Sequence, residues 1–179
     1  LPPHAIGLEA FEIDSAPVTW ARYAGFVDAG GYDDPRWWSD EGWLWRQKER
    51  HQPPRLPRGH DAAVHLSWHE AQAWCRWAGR RLPTEAEWEC AALTMPGFQW
   101  GQCWEWTASL FEGYPGFEPH PYRDYSQPWF GTPRVLRGAS AATSEALAHP
   151  RYRNFFDPGR SDIHAGFRSC SSVAPRHAV

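Results

Sequence analysis

Residues 151–170 read RYRNFFDPGRSDIHAGFRSC, with four arginines, two adjacent phenylalanines, an asparagine and a Pro-Gly turn. These types can do recognition chemistry. Aromatic faces attract cations, and a guanidinium fork matches carboxylates. A plain structural role fits the same residues: Asn154 in a turn, Phe155 and Phe156 in a core, Arg160 in a surface ion pair. The stretch reads as neither a clean helix nor a clean strand. Elsewhere, His65 and His69 stand four apart, the spacing at which two imidazoles on one helix face can share a metal. Ser67 breaks the helix between them, so structural histidines are expected. The basic, Pro-rich run 46–61, RQKERHQPPRLPRGHD, is expected to be an exposed loop, either solvated or closing on an anionic substrate.

The chain must supply elements that hold such residues. Its 179 residues suffice for one domain that buries roughly 70% of its unfolded surface. With 42% apolar and 22% charged residues it is a globular sequence. A net charge of -3 and no basic stripe argue against nucleic acid. No apolar run approaches the roughly 18 residues of a membrane span. No signal peptide is visible. Cys75, Cys90, Cys103 and Cys170 show no CxxC spacing and are expected as reduced thiols of a cytoplasmic protein. The first residue is Leu, so a processed product, a fragment or part of a longer protein is expected.

Thirteen Trp with 17 Pro and 15 Gly suggest large aromatic anchors under long loops. Thr19 is expected to cap a helix from Trp20 to about Ala29, ended by Gly30-Gly31. Ser67-x-x-Glu70 and Thr84-x-x-Glu87 are capping boxes opening two further helices, the first ending at Gly79. Trp74, Trp77 and Ala78 on one, and Trp88, Ala91 and Ala92 on the other, mark core faces. From residue 100 onward the pattern shortens to extended pieces: GQCWEWTAS, RVLRGAS and a final AGFRSC. Helices followed by short strands read as α+β, in one domain over 1–179.

The ordered motifs RLPTEAEWE, WEWTAS, RVLRGAS and AGFRSC resemble the sulfatase-modifying-factor, or formylglycine-generating-enzyme-like, family. That resemblance implies a C-type-lectin-like α+β fold with little regular secondary structure. Within the family, FVDAGGYDDPRWW, YPGF, YRDYSQPWFG and YRNFFDPGRSDIHAGFR resemble the C-terminal domain of EgtB-type ergothioneine sulfoxide synthases and of selenoneine synthases (SenA type). The resemblance implies a DinB-like four-helix domain upstream, carrying Fe(II) on an HxxxHxE set absent from this chain. It implies an O2-dependent oxidoreductase joining sulfur or selenium to the imidazole of hercynine, a histidine with a trimethylated amine. Asn154, Phe155, Phe156 and Arg160 would then line the substrate pocket, the rings facing the ammonium and Arg160 a carboxylate or polyhydroxyl group. Tyr122 or Tyr125, with Tyr114 behind them, would donate a proton or electron.

Users of γ-glutamylcysteine carry Asn-Trp-Asp where Asn154-Phe155-Phe156 stands, so a thio- or selenosugar, or free cysteine, is the expected donor. The two reactive cysteines of a formylglycine-generating oxidase are replaced by Thr143 and Ala148. A family calcium site would retain Glu105 but has Gln102 in place of an Asn. A non-enzymatic ligand-binding module on the lectin-like scaffold is the alternative of a different class.

Overall fold

The computed structural model describes residues 5–50, 52–55, 59–113 and 133–174. Side-chain caps set the helix starts. Thr19 accepts the Arg22 N–H at 3.3 Å and opens α1, Trp20–Asp28. The Ser67/Glu70 and Thr84/Glu87 boxes form reciprocally and open α3, Trp68–Trp77, and α4, Glu85–Thr94. Each such cap stabilises its helix by about 1 kcal/mol. Gly30 and Gly79 take φ of 77° and 68° where α1 and α3 stop.

One helix departs from the expected loop over 46–61. Helix α2 spans Asp40–Glu49, capped by Ser39, with Asp40 and Glu41 in its first turn and Arg46 and Lys48 in its last. Those charges complement the helix dipole, whereas its apolar residues lack a clean period. The core face of α3 also shifts by a residue. Ala71, Trp74 and Cys75 are buried, and Ala78 is an exposed C-cap.

The main sheet has the order β4-β3-β2-β5, formed by β2 (Trp104–Leu110), β3 (Arg134–Gly138), β4 (Asn154–Phe156) and β5 (Ala165–Gly166). Its β2/β3 and β3/β4 pairs are antiparallel and β2/β5 is parallel. A second sheet pairs β1 (Phe11–Ile13) with β6 (Cys170–Ser172), joining the two ends of the described chain. AGFRSC is therefore two strands in two sheets, because Phe167, Arg168 and Ser169 between them turn inward and are buried. Gly166 needs to be glycine: a Cβ there would lie 2.3 Å from the Ala63 carbonyl oxygen.

The sheet separates two layers. Trp106 and Leu136 face an aromatic core with Tyr23, Phe26, Tyr32, Trp38, Trp74 and Phe167. Glu105 and Arg137 face α4. Trp88 donates its Nε1–H to Glu105 at 3.1 Å, and Arg137 reaches Glu85 and Glu89 at 2.9 Å each. The Glu105–Arg168 pair is wholly buried, with contacts of 2.6 and 3.0 Å. Arg168 also donates to the carbonyls of Asp14 and Gln99 and lies 3.8 Å over the Phe98 ring. Among the described residues no helix is long and apolar enough to cross a membrane.

Removing one member of a fully buried ion pair leaves an uncompensated charge in low dielectric. Glu105→Ala is expected to lower unfolding free energy by about 3–5 kcal/mol, against about 1 kcal/mol for Thr84→Ala. Urea denaturation checks both. Equal losses would mean that the pair contributes no more than a cap.

Candidate functional site

Strand β4 is an edge strand, and its register is Leu136↔Asn154, Val135↔Phe155, Arg134↔Phe156. Side chains alternate along a strand, so Phe155 and Phe156 point to opposite faces of the sheet. The two rings cannot close on one ammonium from this strand. Phe155 lies on the α4 side, stacked on Phe111 with centroids 4.0 Å apart and planes 15° apart. Arg153 covers the Phe111 ring at 4.9 Å while its fork holds Glu85 at 2.8 Å through two bonds. Phe156 lies on the core side with Asn154, packed against the aromatic cluster. Asn154 uses its carbonyl oxygen to accept the Phe155 N–H at 2.9 Å.

Arg160 lies 5.2 Å over Phe156, and its guanidinium is committed to Asp162 at 2.6 and 3.0 Å. A substrate acid would have to displace Asp162 to use it. That ion pair raises Arg160 above its ordinary pKa and lowers Asp162. Tyr122 and Tyr125, with Tyr114, lie outside the described residues. The structure thus brings Asn154, Phe155, Phe156 and Arg160 onto one edge, but on two faces of it.

The turn after β4 is fixed from the helices. The Trp68 backbone N–H donates to Pro158 O and the Trp45 indole N–H to Gly159 O, both at 3.0 Å. Those two tryptophans flank His69, with ring centroids at 5.9 Å for Trp45 and 5.7 Å for Trp68. His69 is buried, and its Nδ1 has no hydrogen-bond partner. Burial pulls its pKa below the ordinary 6.5; Arg134 adds to the fall, and Glu41 and Asp157 oppose it. Sequence reasoning treated His69 only as a partner to His65. His65 instead sits before the Ser67 cap with φ of 58°, exposed and edge-on to His164 at 5.6 Å.

Beside Phe111, a cavity of about 370 Å³ is lined by Glu85, Ser109, Leu110, Glu112, Arg134 and Arg153, among others. Arg134 and Arg153 fall within RVLRGAS and the 151–170 stretch, but no helical period or ligand spacing marks either as a site residue.

Among the described residues no group of three His, Cys, Asp or Glu could hold a metal. The calcium expectation does not fit Glu105, whose two carboxylate oxygens are taken by Arg168 and Trp88 deep inside the protein. All four cysteines are free. Cys75, Cys103 and Cys170 are buried, and burial raises the Cys170 thiol to about 11; Cys90 on α4 is half-exposed. Thr143, one of the two positions expected to bear a reactive thiol in an oxidase, instead accepts the Ser140 N–H at 2.9 Å.

Residues 1–102 match the sulfatase-modifying factor enzyme 1-like domain. The chain is 34% identical to the hercynine oxygenase of Mycobacterium tuberculosis in an alignment covering 93% of this chain and 54% of that protein. The hercynine oxygenase of Mycolicibacterium smegmatis gives the same three figures. The formylglycine-generating enzyme of Streptomyces coelicolor is also 34% identical, over 63% of this chain and 47% of that enzyme. The chain spans about half the length of the curated relatives it matches. Among solved structures, Treponema denticola variable protein 1 superposes with a TM-score of 0.64 at 18% identity, covering 96% of this chain and 87% of that one. That likeness shows the fold. The matches agree with the resemblance carried by the four ordered motifs and with the α+β architecture expected from it.

Because the folded state disfavours protonated His69, the unfolded chain takes up that proton first. The stability that neutral His69 contributes is full above the ordinary value of 6.5 and is lost as pH falls below it. His69→Phe is expected to remove this part of the acid sensitivity. Urea midpoints measured for both proteins between about pH 7 and pH 5 check it. Parallel losses in the two proteins would rule out a buried neutral imidazole.

Proposed function

We propose, from the premise that the chain belongs to the sulfatase-modifying factor enzyme 1-like domain family, that it is the substrate-binding portion of an oxidative enzyme acting on hercynine. The observation that carries this reading is the extent of similarity. Two hercynine oxygenases align over 93% of the chain, against 63% for the Streptomyces formylglycine-generating enzyme. Thr143 and Ala148 remove the thiols that the second chemistry needs.

The geometry gives the reading a physical form. A quaternary ammonium cannot donate a hydrogen bond, so π faces are its natural receptor. The Phe111–Phe155 stack, with its Phe111 ring buried and covered by Arg153, leaves the outer side of Phe155 on the α4 side of the edge strand. Phe155 is only half-buried there. Phe156 has a different role: it is held under Arg160 and against the core. Asn154 retains its amide N–H groups for a substrate acceptor. Tyr122 and Tyr125 are the proposed proton or electron donors.

Fe(II), which would activate O2, is proposed to be held by a DinB-like domain of the same protein outside this chain. The bond formed on the imidazole carbon is proposed as C–S or C–Se, giving an ergothioneine-type or selenoneine-type product in the cytoplasm. Phe156 supplies no carboxylate for a glutamyl ammonium. Asp162 is already paired with Arg160, and Asp157 remains exposed. A neutral thio- or selenosugar is therefore the first donor and cysteine the second.

In the full-length protein, Phe155→Leu is expected to weaken hercynine by about 1 kcal/mol, roughly fivefold, while leaving histidine nearly unchanged. Phe156→Leu is expected to spare that preference. Calorimetric titration of both ligands checks this, and equal losses for the two would place Phe155 in the core alone. Competition among donors, with hercynine, Fe(II) and O2, is expected to favour the sugar over γ-glutamylcysteine. A roughly tenfold kcat/KM advantage for γ-glutamylcysteine would overturn the donor assignment.

A further inference from the structure

Among the described residues, arginine pairing follows a rule with one exception. Every other described arginine that is buried or half-buried faces a carboxylate: Arg46 with Asp33, Arg50 with Glu70, Arg80 with Asp14, Arg81 with Glu87, Arg137 and Arg153 with Glu85, and Arg168 with Glu105. Arg134, half-buried at the start of β3, forms no ion pair with any described carboxylate, although Glu41 acts on it from farther away. One Nη1–H bonds the Ala108 carbonyl at 2.7 Å, the guanidinium stacks 4.0 Å over Trp68, and the buried Nε–H has no partner. A buried donor without an acceptor is costly, and a half-buried guanidinium without an anion more so. Such a group in a native fold calls for an absent partner.

The surroundings show what partner fits. Arg134 lines the cavity of about 370 Å³, together with Ser109, whose oxygen accepts the Glu85 N–H at 3.0 Å and whose own proton is left to donate. Arg153, which also lines the cavity, is paired with Glu85. Glu112 shares the lining but is exposed and forms no ion pair with Arg134. Across the sheet Arg134 is the register partner of Phe156, on the face opposite Phe155, and the cavity approaches the edge strand through Arg153.

We propose that Arg134, with the Ser109 hydroxyl, forms a carboxylate-binding subsite that receives the acid group of an amino-acid-derived substrate. A carboxylate there would take the Nη2–H, since Nη1 is bound to the Ala108 carbonyl and Nε is buried. The direction of pKa change agrees. Burial lowers Arg134, with only Glu41 opposing, whereas Arg81, which has a carboxylate partner, is raised. The subsite itself stands on this geometry. Only the identity of the acid rests on the hercynine reading, which offers two sources, hercynine and a cysteine-type donor.

The test uses the full-length protein labelled with 15N-arginine. The Arg134 Nε–H resonance is assigned by its loss in Arg134→Lys, then followed during titration with formate, the bare carboxylate. A saturable shift, absent with chloride at equal ionic strength, is expected; no shift overturns the subsite. Calorimetry then compares hercynine with its decarboxylated analogue, and cysteine with cysteamine. Arg134→Gln is expected to weaken one of the two acids about tenfold or more and to spare its decarboxylated counterpart. Equal weakening of acid and counterpart overturns the proposal. A formate response at Arg134 with no binding of hercynine or its analogue would uphold the subsite and refute the hercynine reading.

Discussion

The buried pair Glu105–Arg168 is the constraint on which the arrangement rests. Glu105 sits in β2, and Arg168 lies between β5 and β6. Trp88 of α4 shares the carboxylate, and the carbonyls of Asp14 and Gln99 share the guanidinium. One charge pair thereby joins the central strand, a helix, the approach to α1 and the last described segment of the chain. Neither ion tolerates the interior without the other, so alternative registers that separate them are heavily penalised. The pair also occupies both oxygens of the one carboxylate that a calcium ion in this region would need.

With β2 fixed, β3 and then β4 follow by antiparallel pairing, and the two-residue period decides what the edge can recognise. One face of the sheet is aromatic and continuous with the helical core. The other meets α4 through arginines and glutamates. The adjacent phenylalanines of β4 are divided between those environments. One joins Phe111 in a stack beside a cavity, and the other lies beneath an arginine. Adjacent residues of one type thus acquire separate jobs from the pleat alone.

The fold does not decide chemistry. A variable protein of Treponema denticola shares this architecture at 18% identity, and family relatives with formylglycine-generating names share long stretches of sequence. What distinguishes chains on such a scaffold is the set of side chains at its edges and cavities. Here those are the absence of thiols at Thr143 and Ala148, the ring pair at Phe111 and Phe155, and the unpaired guanidinium of Arg134.

The sequence by itself determined the features that depend on near neighbours. Thr19, Ser67 and Thr84 announce helices because a cap acts over three residues, and Gly30 and Gly79 announce their ends for the same reason. The ordered motifs determined the family. Helix α2 escaped notice because its charges, and not an apolar stripe, define it. Tertiary structure alone decided the rest. AGFRSC became two strands because Arg168 had to reach Glu105, 63 residues away. Phe155 and Phe156 parted because pairing with Val135 and Arg134 set their faces. The absence of a carboxylate bond at Arg134 and of any bond at the His69 Nδ1 emerged only with the tertiary fold. Those outcomes depend on contacts between residues far apart in the chain, and no local pattern encodes them.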